Sequence, residues 1–117
     1  MTEIKIVRGK GRGIFATKDI RKGTLVEKSQ LIFFPRKEEK YIEKTILADY
    51  YFEYDQKLNA IALGNGSLYN HNRQDNIIFI QKNKMIYFYA IKNIKKGEEL
   101  LLDYNDKKLI SRFEKKR

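Results

Sequence analysis

With 117 residues, 42% of them hydrophobic and 34% charged, the chain can fill one modest core, which excludes a two-domain protein and a disordered one. It has no cysteine and one histidine, so disulfide scaffolds and thiolate zinc sites are excluded and no protein-built metal centre is expected. Twenty-five Lys and Arg against fifteen Asp and Glu leave a net charge of +10, a balance suited to acidic partners such as nucleic acid.

The predicted elements are mostly β. Glu3-Ile4-Lys5-Ile6-Val7 alternates like a half-buried strand, Gly9, Gly11 and Gly13 interrupt it, and Ile14-Phe15-Ala16 resumes. Arg21-Lys22-Gly23 turns into a strand over 24–34, which Pro35 closes. Residues 37–48 carry the chain's one helical spacing, with Tyr41, Ile42, Ile46 and Leu47 as its apolar positions. Tyr50-Tyr51-Phe52-Glu53-Tyr54 suits a core or a strand pair, and would equally wall a narrow channel. A strand over 58–63 ends at Gly64-Asn65-Gly66. Residues 76–81 and 85–91 form a hairpin across Lys82-Asn83-Lys84. Lys95-Lys96-Gly97 turns into a last strand over 98–104, and the polar tail has only Leu109, Ile110 and Phe113 as anchors.

No domain boundary is visible. The opening MTEIKIVRGKGRG lacks the apolar segment of a signal peptide, and the longest apolar run, 85–91, is too short to cross a bilayer. The expectation is a soluble domain of the cytoplasm, or of a host nucleus if the source is a virus or intracellular pathogen. One near-repeat stands out. Lys18-Asp19-Ile20-Arg21-Lys22-Gly23 and Lys92-Asn93-Ile94-Lys95-Lys96-Gly97 each lead into a strand, and an apolar residue tucked under a basic turn explains each locally.

Singly, the polar motifs need no chemistry. Gly11-Arg12-Gly13 lacks the phosphate-loop and dinucleotide patterns and fits a tight turn. Asn70-His71-Asn72 fits a polar loop, because no serine or cysteine stands at a nucleophile's spacing from His71. Gly97-Glu98-Glu99-Leu100 fits a turn entering an apolar strand.

Taken in order, Gly11-Arg12-Gly13-Ile14-Phe15-Ala16, Asn70-His71-Asn72 with Asn76, and Gly97-Glu98-Glu99-Leu100 with Asp103-Tyr104 resemble the SET-domain protein lysine methyltransferases over about residues 4–106. The stretch AIALGNGSLYN, Ala60 to Asn70, is similar to the small free-standing viral and bacterial members. The resemblance implies one SET domain over 1–117, with a short tail at 107–117 that lacks the zinc-binding cysteines of many relatives. The implied fold is mostly β with one or two short helices: small twisted β-sheets around a C-terminal pseudoknot. The implied activity is in-line methyl transfer from S-adenosyl-L-methionine to a deprotonated substrate lysine in an aromatic channel, without a metal and yielding S-adenosyl-L-homocysteine.

Residue by residue, the resemblance assigns cofactor binding to Lys10, Gly11, Arg12, Gly13, Asn70, His71 and Tyr104. It assigns catalysis to Tyr104, supported by Tyr51, and the substrate channel to Tyr50, Tyr51, Phe79 and Leu102. The chain departs from the family at several points. Asn72 replaces a serine and Asp75 a proline, and Glu27-Lys28-Ser29 stands where a tyrosine is common; Tyr51, with Tyr50 as runner-up, is the expected replacement wall. Leu102 stands where relatives carry Phe or Tyr, so either Phe79 limits the number of methyl groups or the channel is roomier.

The implied partner is a protein presenting a lysine: a histone, a ribosomal protein or a DNA-associated protein. A homodimer has precedent among the minimal relatives, direct nucleic-acid binding would follow from the +10 charge, and no membrane is expected. The competing reading is a non-catalytic, basic SET-like module that binds nucleic acid or chromatin-like protein.

Overall fold

A computed structural model describes residues 1–9 and 11–104; Lys10 and the tail 105–117, with Leu109, Ile110 and Phe113, lie outside the described residues. Strand β1 (Thr2–Val7) and β2 (Gly11–Ala16) pair antiparallel from Thr2 opposite Ala16 to Val7 opposite Gly11. Gly11 has φ 85, a left-handed conformation that glycine adopts without Cβ strain, so the glycines open β2 instead of ending the sheet.

The long strand β3 (Leu25–Pro35) ends on Pro35 and is shared between two sheets. Its first half pairs with β8 (Met85–Ala90), ending at Gln30 opposite Met85. From Leu31 onward it pairs with β5 (Leu58–Ala62), which also pairs with β4 (Tyr51–Glu53). The segment expected to be one helix over 37–48 is broken. A 3₁₀ turn at Arg36–Glu38 leads into α1 (Glu39–Ile42), and a second 3₁₀ turn covers Ile46–Asp49. Thr45 causes the break: its hydroxyl donates to the Ile42 carbonyl at 2.7 Å and accepts from the Leu47 N–H at 3.1 Å, closing one turn and capping the next. Three of the segment's four apolar positions, Tyr41, Ile46 and Leu47, are exposed.

The hairpin of β7 (Ile77–Lys82) and β8 forms as read, with Asn83 and Lys84 at φ 53 and 61 in a two-residue turn whose twist matches the strands. The chain end differs from a simple last strand. Only Leu101–Leu102 (β9) pairs as a strand, with Glu99 making a lone bridge to Phe15. Asn70–His71 is a short strand as well, β6, and not a loop. Both β6 and β7 run parallel to β9, which lies between them: Asn70 faces Leu101, while Leu102 faces His71 on one side and Ile77 on the other. Residues 72–76 carry the chain from one side of β9 to the other, so β9 is inserted between two strands that are neighbours in sequence.

Asn76 fastens this insertion. Its Nδ2 donates to the Glu99 carbonyl at 2.8 Å, and its Oδ1 accepts the Leu101 N–H at 2.8 Å. The Asn72 N–H adds a bond to the Leu102 carbonyl at 3.1 Å. Leu100 and Leu102 are fully buried with Ile14, Ile77, Ile86 and Phe88, so the inserted end completes the core rather than lying over it. The fold is mostly β with one short α-helix, as the sequence implied.

Candidate active site

Three segments far apart in sequence meet at Asn70. Its side-chain amide donates to the Arg12 carbonyl at 2.8 Å and to Glu99 Oε2 at 2.7 Å, joining β2, β6 and the entry to β9. Gly13 is buried against them: a Cβ there would fall onto Glu99 Oε2 and come within 3.0 Å of Asn70 Nδ2. Glycine at 13 is therefore what allows the two polar groups to close on the β2 backbone. At Gly11 the same test meets no atom within 4 Å, leaving open space beside the backbone. Arg12 extends an exposed side chain between the two glycines.

Tyr104 marks the second half of the site. Its hydroxyl donates to the Tyr69 carbonyl at 2.5 Å, and its ring is tilted on Phe52 at 5.3 Å between centroids and stacked on His71 at 6.0 Å. Burial first, and then the Tyr50 hydroxyl nearby, push its pKa well above the ordinary tyrosine value. Tyr104 thus stays a neutral phenol across the physiological range. Because its proton is committed to Tyr69, its oxygen lone pairs are what it offers to another group.

His71 accepts the Tyr104 N–H on Nδ1 at 3.2 Å and lies 3.8 Å from Asp103 Oδ1. That bond assigns the neutral ring's proton to Nε2 and gives His71 the task of fixing the chain at Tyr104.

The aromatic walls come from Phe52, whose ring meets Phe79 at 5.0 Å and Phe88 at 6.4 Å, and from Tyr69, 4.9 Å from Phe88. Tyr50 lies on this side. Tyr51 does not: alternation along β4 turns it away from Phe52. There its hydroxyl lies 2.8 Å from Glu39 Oε1 and 2.9 Å from Glu43 Oε1, its one proton shared between the two carboxylates, and its ring packs on Phe34 at 5.5 Å. The β4 residue that meets Tyr104 is Phe52, not the Tyr51 expected as wall and catalytic support. Leu102 is fully buried in β9 and Phe79 is half-buried against Phe52. Lys10 lies outside the described residues.

Several site residues escaped the sequence reading. Glu99 enters that reading only within the Gly97-Glu98-Glu99-Leu100 turn and is given no role, yet it bridges Asn70 and packs on Gly13. Glu27 looked like the loss of a tyrosine, yet its Oε1 accepts the Tyr69 hydroxyl at 2.5 Å and its Oε2 accepts the Asn65 N–H at 2.8 Å. Burial, followed by this bond to Glu27, raises the Tyr69 pKa, so Tyr69 remains the donor. A chain of contacts therefore runs from Glu27 through Tyr69 to the Tyr104 hydroxyl. Among the described residues, no three His, Asp or Glu side chains gather as a metal site would require.

The family model of the SET domain matches residues 11–105. The chain belongs to the SET-domain family. This SET domain is 35% identical over 107 residues to the histone-lysine N-methyltransferase, H3 lysine-37 specific, of Schizosaccharomyces pombe, covering 89% of the chain and 73% of that relative. It is 30% identical over 120 residues to the N-lysine methyltransferase KMT5A-A of Danio rerio, covering 89% of the chain but 35% of that longer protein. Among solved structures, CpSET8 from Cryptosporidium superposes with a TM-score of 0.69 at 31% identity, covering 90% of this chain and 57% of that one. Family and relatives together make the SET domain a protein-lysine methyltransferase.

Proposed function

We propose that this SET domain transfers a methyl group from S-adenosyl-L-methionine to a lysine amine of a protein substrate, with Tyr104 as the catalytic residue. The observation that carries the reading is the Tyr104 hydroxyl, neutral and held on the Tyr69 carbonyl inside the Phe52 wall, adjoining the Gly13–Asn70–Glu99 junction. The names of the relatives point to a histone as the substrate class.

The residues present fit the cofactor's chemistry. The open space at Gly11 admits a ligand close to the backbone, Arg12 supplies a cation for a carboxylate, and the Asn70 carbonyl oxygen and the Glu99 carboxylate supply acceptors for an ammonium. When bound, the cofactor supplies an activated methyl group on a positively charged sulfur. The chain's own residues do the rest. Phe52, Phe79 and Tyr104 exclude water from the lysine side chain, which favours the neutral amine over the ammonium. The Tyr104 oxygen, its proton already given to Tyr69, accepts an N–H of that amine and so aims the nitrogen lone pair along the line of transfer. Glu27 keeps Tyr69, and through it Tyr104, in place. His71 binds the chain end and moves no proton.

The test is cofactor binding by titration calorimetry. S-adenosyl-L-methionine binds the native chain, and Asn70→Ala weakens binding by about tenfold or more, since one side chain organises β2 and Glu99 together. An unchanged dissociation constant removes Asn70 from the pocket.

A further inference from the structure

The near-repeat of the sequence is not explained by two independent local turns. The octapeptides Ala16-Thr17-Lys18-Asp19-Ile20-Arg21-Lys22-Gly23 and Ala90-Ile91-Lys92-Asn93-Ile94-Lys95-Lys96-Gly97 lie against each other and exchange equivalent bonds. The Ile20 N–H donates to the Ile94 carbonyl at 2.7 Å and the Ile94 N–H to the Ile20 carbonyl at 2.8 Å. The Lys22 N–H donates to Asn93 Oδ1 at 2.9 Å, and the Lys96 N–H to Asp19 Oδ1 at 2.9 Å. The Gly23 N–H reaches the Ala90 carbonyl and the Gly97 N–H the Ala16 carbonyl, both at 2.8 Å, and both glycines sit at φ 91. Six bonds related in pairs define a local two-fold axis through the buried Ile20–Ile94 contact.

What this platform presents is charge. Lys18, Arg21, Lys22, Lys92, Lys95 and Lys96 are all exposed, and among the described residues none of them forms an ion pair or lies over a ring. Some cations elsewhere are partnered, Lys5 with Glu3 at 3.2 Å, Arg36 with Glu53 at 3.0 Å, Lys28 and Lys82 with the Tyr87 ring, and the single ones, such as Lys37, Lys44 and Lys57, are not set on a shared two-fold base. The one acid within the octapeptides, Asp19, has an oxygen tied to the Lys96 N–H, and the neighbouring Glu98 accepts the Lys95 N–H at 2.9 Å.

We propose that the twin turns form a docking face for double-stranded nucleic acid, gripped through its phosphates without sequence preference. Six exposed cations on one bonded base, none with an ion pair among the described residues, repel one another, and a closely spaced row of phosphates relieves that repulsion by releasing counterions. The two-fold arrangement suits a duplex, whose antiparallel strands are themselves related by two-fold axes and present equivalent phosphates to equivalent turns. The octapeptides contain no aromatic residue on which unpaired bases could stack, so the face favours a duplex over a single strand. The face lies on the segment that carries Glu99 to Asn70, and its binding does not depend on methyl transfer.

The test is fluorescence anisotropy with a labelled duplex of about 20 base pairs over a salt series. If all six cations meet phosphates, log K falls against log salt with a slope of about −5. The fourfold variant Arg21→Gln, Lys22→Gln, Lys95→Gln, Lys96→Gln loses at least about tenfold in affinity and flattens that slope by about 3 to 4. A control of equal charge change on the other side of β3, Lys37→Gln, Lys40→Gln, Lys44→Gln, Lys57→Gln, keeps both within about twofold. The altered side chains are exposed, and circular dichroism is the check that both variants fold. Three results overturn the proposal: no duplex binding at low salt, equal losses in the two variants, or tighter binding to a single strand or to polyglutamate than to the duplex.

Discussion

Asn76 offers the sharpest test of how the inserted chain end is held. In Asn76→Ala, the Glu99 carbonyl loses its donor and the Leu101 N–H its acceptor, both at 2.8 Å, while the main-chain bonds of residue 76 to Leu101 and Ile91 survive. Asn76 is 7% exposed, so water does not readily replace the amide. Each orphaned group costs about 1–3 kcal/mol, giving a loss of roughly 2–6 kcal/mol, a large share of the ~5–15 kcal/mol that holds a domain together. Urea unfolding measures it as a fall in midpoint at unchanged slope, and the Leu101 amide exchanges faster with deuterium. Asn76→Asp supplies a second signature. It keeps the acceptor for Leu101 but sets a carboxylate against the Glu99 carbonyl, so protonating that carboxylate restores the donor. The new group's folded pKa lies above its unfolded value; its stabilisation is present below about pH 4 and is lost as pH rises through the folded pKa. The clamp is refuted if Asn76→Ala costs under about 0.5 kcal/mol, or if Asn76→Asp matches the native protein at pH 7.

Two further outcomes follow from the buried tyrosines. Glu27→Gln still accepts the Tyr69 hydroxyl but turns an NH₂ toward the Asn65 N–H, so it lowers kcat several-fold at unchanged cofactor affinity, whereas Glu27→Ala loses more; a kcat equal to the native value in steady-state assays removes Glu27 from the positioning chain. Tyr69 and Tyr104 have folded pKa values raised above the unfolded value of about 10, so they bind protons more tightly when folded. Their contribution is complete below pH 10 and is lost as pH rises beyond it, and thermal unfolding between pH 8 and 11.5 checks this: a melting temperature that rises with alkalinity contradicts it.

Much of the architecture was legible because it rests on local signals. The β7–β8 hairpin announces itself through two short apolar runs on either side of Lys82-Asn83-Lys84, and β3 through a long run rich in apolar and aromatic residues closed by Pro35. The helical spacing at 37–48 misled because Thr45 competes for backbone bonds, so the apolar positions never form one face. Parity decided the wall. Tyr51 and Phe52 are both aromatic, and which of them faces Tyr104 depends on the register of β4 against β5, a tertiary fact. The insertion of β9 is non-local by nature: two residues on each strand carry no periodicity, and only a resemblance to a known family could propose it. Glu27 and Glu99 escaped for the same reason, since neither an acid within a strand nor one beside a turn shows its partners until the segments that close over it are known.

The central claim is methyl transfer at Tyr104, and the measurement that meets it directly is transfer of labelled methyl from S-adenosyl-L-methionine to histones, followed by identification of the labelled residue. The native chain should label lysine. Tyr104→Phe should lose about 10²–10³-fold in kcat, as when one preorganised hydrogen-bonding group is removed from a transition state, and should keep its cofactor affinity within about tenfold. Label that never appears on lysine, or a Tyr104→Phe variant as active as the native chain, would contradict it.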